Sequence, residues 1–320
     1  MKRIISFNVF QYLLITILLF GVVECIFIPS YFAYYWARQF AVQLIFVYLG
    51  LGVLFLILKL QRLMIVSFVC SAAICLYLKF ASNPLLIPDT KVVGMPTFSV
   101  SLLNLSISEP DISEAINTLK YLNPDVIALE EITPMWGDTL ISVFSEAYPY
   151  KTLITNYNSL GVGFLSKCPI VKIDTLLFDN VPNLSIVVES KKLGKKINLV
   201  EGRTEPPYSN NTYKRLGNHL DFLAQKITSL ENNTIALGSF NVVTWSDEVV
   251  SFLTKTNMVD SRRGFMSTYP RAPFSLMTLP TDHVFLTKDL KCVQFNNINS
   301  KAENHLGLFA VFQDNVKENE

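Results

Sequence analysis

With 320 residues, half of them hydrophobic, and a mean hydropathy of +0.34, the chain has room for one large domain or two smaller ones and is more apolar than soluble proteins usually are. Of its 27 Lys and Arg, six fall in residues 1–81, and of its 26 Asp and Glu only Glu24 does, which leaves residues 82–320 with 21 basic and 25 acidic side chains. A net acidic remainder argues against non-specific polyanion binding, which draws on Lys and Arg, so there is no strong nucleic-acid signature.

Three apolar runs, residues 11–28, 40–58 and 63–78, each approach the ~20 residues that cross a bilayer. The first follows Lys2 and Arg3 like a signal peptide but has no small-residue cleavage site, and two more runs come after it, so it reads as an anchor. Tyr31, Phe32, Tyr34, Tyr35 and Trp36 suit a membrane–water interface between the first two spans. Lys2 and Arg3 fall on one side with Lys59 and Arg62, and Arg38 on the other. The positive-inside rule then predicts a three-span anchor over residues 1–81, a cytoplasmic amino terminus, and everything beyond on the extracytoplasmic side. Glu24 reads as an interfacial carboxylate near the outer end of the first span.

Residues 82–97, with Pro84, Pro88 and Pro96, read as a linker. A core strand then ends at Asn104, and Asp111 with Glu114 has the spacing of a capping box. Ile112, Ala115, Ile116, Leu119 and Leu122 give the following helix one apolar face. Pro124 stops it before a buried strand at residues 125–129, whose end carries Glu130 and Glu131. Adjacent residues on a strand point to opposite faces, so at most one of the two acids is expected at a site. Residues 161–166 are a further strand, and 186–189 with 196–202 a hairpin over the solvated tip formed by Lys191, Lys192, Lys195 and Lys196. Tyr213, Leu216, Leu220, Leu223, Ile227 and Leu230 mark an amphipathic helix, with His219 off its core face.

Residues 235–246 read as a short buried strand, a polar turn and a helix start, with Ser246 as the cap and Asp247 and Glu248 in the first turn. Phe252 and Leu253 lie on that helix, and Trp245 reads as core. An irregular loop over residues 262–280 carries Tyr269 and Pro270, which could rim a pocket. Two closing strands near 282–286 and 308–312 are introduced by Asp282-His283 and Asn304-His305, with His283 read as a packed strand histidine. Strands alternating with helices, and hairpins late, predict an α/β (α+β) domain of two packed sheets over residues 98–315, with a polar tail at 316–320. Five cysteines show no metal-ligand spacing, and Cys168 and Cys292 are expected as two unpaired thiols, with a disulfide between them the alternative.

In this order the motifs resemble those of the endonuclease/exonuclease/phosphatase superfamily, its small bacterial membrane-anchored type, over about residues 98–313. Asn104 ends the first strand. Residues 124–131, Pro-Asp-Val-Ile-Ala-Leu-Glu-Glu, resemble the family's Pro-Asp-Val-(apolar)-Ala-Leu-Gln-Glu, and residues 161–170 resemble its Gly-(x)-(x)-(x)-Leu-Ser-(x)-(x)-Pro-Ile. Residues 238–246 resemble Gly-Asp-Phe-Asn-(x)-(x)-(x)-Trp-Ser, and Asp282-His283 and Asn304-His305 resemble Ile-Asp-His and Ser-Asp-His endings.

The resemblance implies a four-layer sandwich of two β-sheets flanked by helices, and hydrolysis of phosphoester bonds with magnesium or manganese. It implies Glu131 as metal ligand, and Asn104, Asn241, Asp282 and His305 as catalytic residues, with Asn241 holding phosphate; Arg203 is a candidate phosphate-binding residue by its own chemistry. The departures fall on the chemistry: Ser239 and Asn304 stand where the pattern has Asp, and Arg203 where relatives carry a histidine. Serine is no base near neutral pH, and loss of a general base typically costs 10²–10⁴-fold. Arg203 could neutralise phosphate by bidentate pairing, or repel a metal. Two readings follow: an extracytoplasmic phosphoester hydrolase with a partly degraded site, or an inactive relative that binds a phosphate ligand or scaffolds at the membrane. The substrate class stays open among phosphorylated small molecules, lipids and nucleic acids.

Overall fold

The computed structural model describes residues 2–27, 32–82, 89–105, 112–230, 233–264, 266–270, 278–298, 305 and 307–315. Asp111 and Asn304 lie outside them. The chain divides into two compact units, residues 1–84 with Val243–Asp247, and residues 85–242 with 248–320.

The first unit holds α1 (Lys2–Ile26), α2 (Phe32–Gln39), α3 (Ala41–Ile57) and α4 (Gln61–Ala81). Two stretches, Asn8–Ile26 and Gln61–Ala81, are long and apolar enough to cross a membrane. The middle apolar run yields a helix of 17 residues, about 26 Å at 1.5 Å per residue against a hydrocarbon core of ~30 Å. The aromatic stretch before it forms the separate helix α2 instead of lengthening it, so the structure gives two full-length candidates and one shorter apolar helix. Lys59, at φ +58°, turns the chain between α3 and α4. Within this unit the Trp245 indole donates to the Arg38 carbonyl at 2.7 Å, Arg38 pairs with Asp247, and Trp245 is buried as expected.

The second unit is built on two six-stranded mixed sheets. Sheet one comprises β1 (Phe98–Asn104), β2 (Val126–Glu130), β3 (Tyr150–Ile154), β4 (Val162–Ser166), β11 (Leu290–Ile298) and β12 (Gly307–Asp314), in the order β11-β12-β1-β2-β4-β3. Sheet two comprises β5 (Ile170–Phe178), β6 (Val181–Ser190), β7 (Lys195–Glu201), β8 (Thr234–Ser239), β9 (Met258–Asp260) and β10 (Asp282–Thr287), in the order β5-β6-β7-β8-β10-β9. Alternate residues of the central strands, among them Val100, Leu102, Val126, Ala128, Leu199, Ile235, Leu237 and Val284, form a buried cluster between the sheets. On the outer side of sheet one, Leu103, Ile127 and Leu129 pack with Ala115 and Leu119 of α5 (Ile112–Leu122) and with Trp136 and Leu140 of α6 (Pro134–Phe144). Sheet two is flanked by α7 (Asn210–Thr228) and α8 (Asp247–Thr256). The apolar alternation of each strand thus feeds both a shared interior and a helix-covered face.

Two expectations change. His219 is 2% exposed; its Nε2 meets Asn183 Oδ1 at 2.9 Å and its ring stacks on Phe178. A polar partner on β6 lets an imidazole sit on the apolar face of α7, which helical spacing of aliphatic residues alone did not show. The structure also adds β3, β5, β9, β11 and α6. The sheet-edge strand β3 is half-exposed, so its sequence lacks a buried strand's continuous apolar run.

The register puts Asn104 opposite Glu130 within sheet one and Asp282 opposite Ser239 within sheet two. Both pairs terminate strands at the same edge of the sandwich. There is no room for a side chain at Gly238, which has φ +144°: a Cβ would sit 2.0 Å from the Gly202 carbonyl oxygen, beside it in sheet two, and 3.1 Å from Glu130 Oε1 of sheet one. Gly238→Ala is therefore expected to cost about 3 kcal/mol by overpacking, lowering Tm by roughly 10 °C at ~2–4 °C per kcal/mol. Thermal melting of the full-length chain in detergent checks it, and an unchanged Tm would show that the chain is not so tightly packed around Gly238.

Candidate active site

Glu130 shares the inward face of β2 with Val126 and Ala128 and is fully buried. Its Oε1 accepts the Ser239 backbone N–H at 2.8 Å, and its Oε2 accepts the Ser239 hydroxyl and, at 3.4 Å, the Asn104 amide. Burial raises its pKa and Asp282 adds to the rise, against Arg203 and the Ser239 hydrogen bonds. Glu201, at the end of β7, is also fully buried, and neither of its carboxyl oxygens has a hydrogen-bond partner among the described residues. Burial first, then the charge of Glu130, raises its pKa well above the ordinary range, favouring the neutral acid.

The next residue, Glu131, takes a left-handed backbone at φ +58°. Strand alternation stops there, so both acids reach the site where alternation predicted one at most. Glu131 Oε1 accepts from Arg203 Nη2 at 2.6 Å, with both side chains about one-seventh exposed. Arg203 Nη1 also donates to the Ser159 carbonyl, and the Arg203 backbone N–H donates to Asn183 Oδ1 at 3.3 Å. Asn241, at φ +54°, donates its amide to the Thr204 carbonyl at 2.7 Å and the Ser239 carbonyl at 3.4 Å. In this arrangement Asn241 braces the chain just after Arg203.

His305 Nδ1 donates to both Asp282 carboxylate oxygens, at 3.0 and 2.9 Å. Burial opposes the charge of each, yet the pairing wins: Asp282 is held down to about 2, and His305 is raised. The Tyr269 ring lies 4.4 Å from the imidazole, so the rim residue expected from sequence meets the histidine directly. Arg262, fully buried behind the dyad, donates to the Asp282 carbonyl. His283 turns the other way, meeting the Val242 carbonyl at 2.8 Å, and burial pushes its pKa down to about 4. It is the packed strand histidine expected.

Asn104, Glu131, Arg203, Ser239, Asp282 and His305 thus join one network, with Asn241 bracing it. Sequence reasoning missed Glu130, Glu201 and Arg262. The signal for Glu130 was present, since the family pattern has Gln at that position. Cys168 and Cys292 are both free thiols.

A divalent metal does not fit these residues well. Glu131 is already paired with a guanidinium, and Ser239 puts a neutral hydroxyl, donated to Glu130, where the family pattern has a charged acid. Among the described residues, no group of three or more His, Cys, Asp or Glu is placed to hold an ion.

A sequence profile of the Endonuclease/Exonuclease/phosphatase family matches residues 104–297. Comparison with curated protein sequences found no match. Among solved structures, zebrafish (D. rerio) TDP2 complexed with a single-strand DNA product is 15% identical, with a TM-score of 0.55 over 68% of this chain and 99% of that one. The human Nocturnin catalytic domain with bound sulfate is 14% identical, with a TM-score of 0.56 over 70% of this chain and 96% of that one. The Bacteroides thetaiotaomicron mannosyl-6-phosphatase Bt3783 is 14% identical, with a TM-score of 0.53 over 67% and 99%. At these identities the likeness is one of fold, a phosphoesterase-type sandwich of two sheets.

The dyad makes a stability prediction with opposite signs on its two flanks. The contribution of ionised Asp282 is full above the unfolded carboxylate value of ~3.9 and is lost as pH falls through about 2. The contribution of protonated His305 is full below ~6.5 and is lost as pH rises through its raised folded value. The Tm gap between the wild type and His305→Ala is therefore widest between about pH 4 and 6.5 and narrows on both sides. A gap flat across pH 3–9 would mean that the two groups are not paired in solution.

Proposed function

The chain belongs to the Endonuclease/Exonuclease/phosphatase family, and from that premise we propose that it is a membrane-anchored protein whose site recognises a phosphoester and hydrolyses it slowly. The observation that carries this reading is the Asp282–His305 contact at 2.9 Å. A buried carboxylate holds the imidazole in its charged form, and that charge can be set against a phosphoryl oxygen. Arg203 adds a planar donor suited to the same group. Asn241 braces Thr204 and so positions Arg203, while Asn104 supports Glu130.

Slowness follows from position 239, where the pattern's acid is a serine that cannot act as a base near neutral pH, at a typical cost of 10²–10⁴-fold. Family enzymes are generally divalent-metal dependent, and a metal would stabilise charge on the phosphoryl oxygens. No step is assigned to magnesium or manganese here, because the residues do not fit one. A second reading, an efficient hydrolase, is favoured by Glu130. Its carboxylate faces the position of the pattern's Asp from the opposite sheet and is hydrogen-bonded to Ser239.

A phosphoester ligand accords with structural neighbours described as bound to a DNA product or as a sugar phosphatase. The anchor comprises α1 and α4, with the shorter α3 as a third span, the amino terminus cytoplasmic and the domain extracytoplasmic.

Calorimetry of the full-length chain in detergent with a generic phosphomonoester is expected to show binding. His305→Ala should weaken it about tenfold, the scale of one hydrogen bond to a charged group, and equal affinity in that variant would sink the reading. Hydrolysis should rise roughly 10²-fold in the double variant Glu130→Gln, Ser239→Asp, which restores the pattern. A wild type already as fast as the double variant would favour the efficient hydrolase. A carboxyl-terminal reporter should read outside for three spans; an inside signal means that α3 does not cross.

A further inference from the structure

Glu131 is the acid that the family resemblance assigns to the metal, and the structure gives it a different cation. We propose that the Arg203 guanidinium takes the metal's place, so that the site binds a phosphomonoester through Arg203 directly and without a divalent ion. This deepens the phosphoester reading and rests on it.

Geometry sets the two cations against each other. Arg203 Nη2 lies 2.6 Å from Glu131 Oε1. A magnesium ion would need an oxygen of the same carboxylate at about 2.0–2.1 Å in a near-octahedral oxygen shell, so ion and guanidinium would share one carboxylate and repel each other. The negative charge that the family pattern places at position 239 is also missing, and the Ser239 hydroxyl there is turned onto Glu130 as a donor.

Arg203 is not a loose surface side chain that could swing aside for an ion. Its second nitrogen is tied to the Ser159 carbonyl and its backbone N–H to Asn183. The following residue, Thr204, is buried and fixed at three points: its N–H to the Ser239 carbonyl at 3.1 Å, its hydroxyl to the Phe240 carbonyl at 2.7 Å, and its carbonyl to the Asn241 amide. A guanidinium offers five N–H donors in one plane. Its bonds to Glu131 and Ser159 leave further donors for the oxygens of a phosphoryl group, which guanidinium pairs with bidentately.

A cavity of about 290 Å³ opens beside Arg203 and Thr204, walled by Leu160, Val181 and Pro206. Its apolar wall suits the organic part of a small phosphomonoester whose phosphate lies on Arg203. Arg215, at its far side, is paired with Glu205 at 3.1 Å, so the cavity presents little net charge to a second anionic group.

The test uses calorimetry on the full-length chain in detergent, with inorganic phosphate in the presence of EDTA, inorganic phosphate with MgCl2, and MgCl2 alone. Phosphate affinity should be the same with EDTA and with MgCl2. Arg203→Gln should lower it about tenfold or more, and Arg203→Lys, which keeps the charge without the fork, by less. MgCl2 alone should give no binding to the wild type at millimolar concentration. Phosphate binding that requires MgCl2, or magnesium binding by the wild type at sub-millimolar concentration, overturns the proposal. The magnesium arm needs no variant. If phosphate binds under neither condition, the phosphoester reading and this proposal both fail. Failure of this proposal alone shows as phosphate binding that depends on magnesium.

Discussion

Three polar pairs cross from one sheet to the other at a single edge of the sandwich, and the site exists because each has a partner on the far side. Glu130 from β2 meets Ser239 from β8, Glu131 meets Arg203 beyond β7, and His305 ahead of β12 meets Asp282 of β10. A charge taken out of water is costly unless it is paired and hydrogen-bonded. The apolar interior forces the sheets together, and these ends can be buried only by being matched. Gly238 leaves no room for a Cβ at this edge, since that atom would meet the Gly202 carbonyl of its own sheet and approach Glu130 from the other.

Seen across the sheets, the substitution at position 239 is less a loss than an exchange. The family pattern has Gln then Glu on the first sheet and Asp on the second; this chain has Glu130, Glu131 and Ser239. The number of carboxylates is kept, but one has moved to the opposite strand, where it is fully buried and accepts hydrogen bonds instead of facing a ligand. A serine donor and a glutamate acceptor make the cross-sheet hydrogen bond here. What is given up is an acid at the position the pattern uses for chemistry, and Arg203 adds a cation beside the one acid that stays in place.

Much of this was legible in the chain. Period-two and apolar runs marked the central strands, the turn after Leu237 marked the working edge, and the ordered motifs identified the two-sheet fold before any coordinate. The unread parts have physical causes. Alternation placed Glu130 and Glu131 on opposite faces, and only the left-handed backbone at Glu131 brings both to the site. His219 went to the wrong face because its partner, Asn183, lies on a strand 36 residues away in sequence. Arg203 could be named as a departure, but whether it meets phosphate, metal or carboxylate depends on where sheet two places it. The middle apolar run had the composition of a span and, once folded, not its full length.

The central claim is that Glu131 and Arg203 are committed to each other across the sheets. A double-mutant cycle with Glu131→Gln and Arg203→Gln, read as unfolding free energy of the full-length chain, measures that commitment directly. The account predicts a coupling of about 1–3 kcal/mol, as for side chains in one buried network. Strict additivity would contradict it, and would leave Glu131 available for a metal.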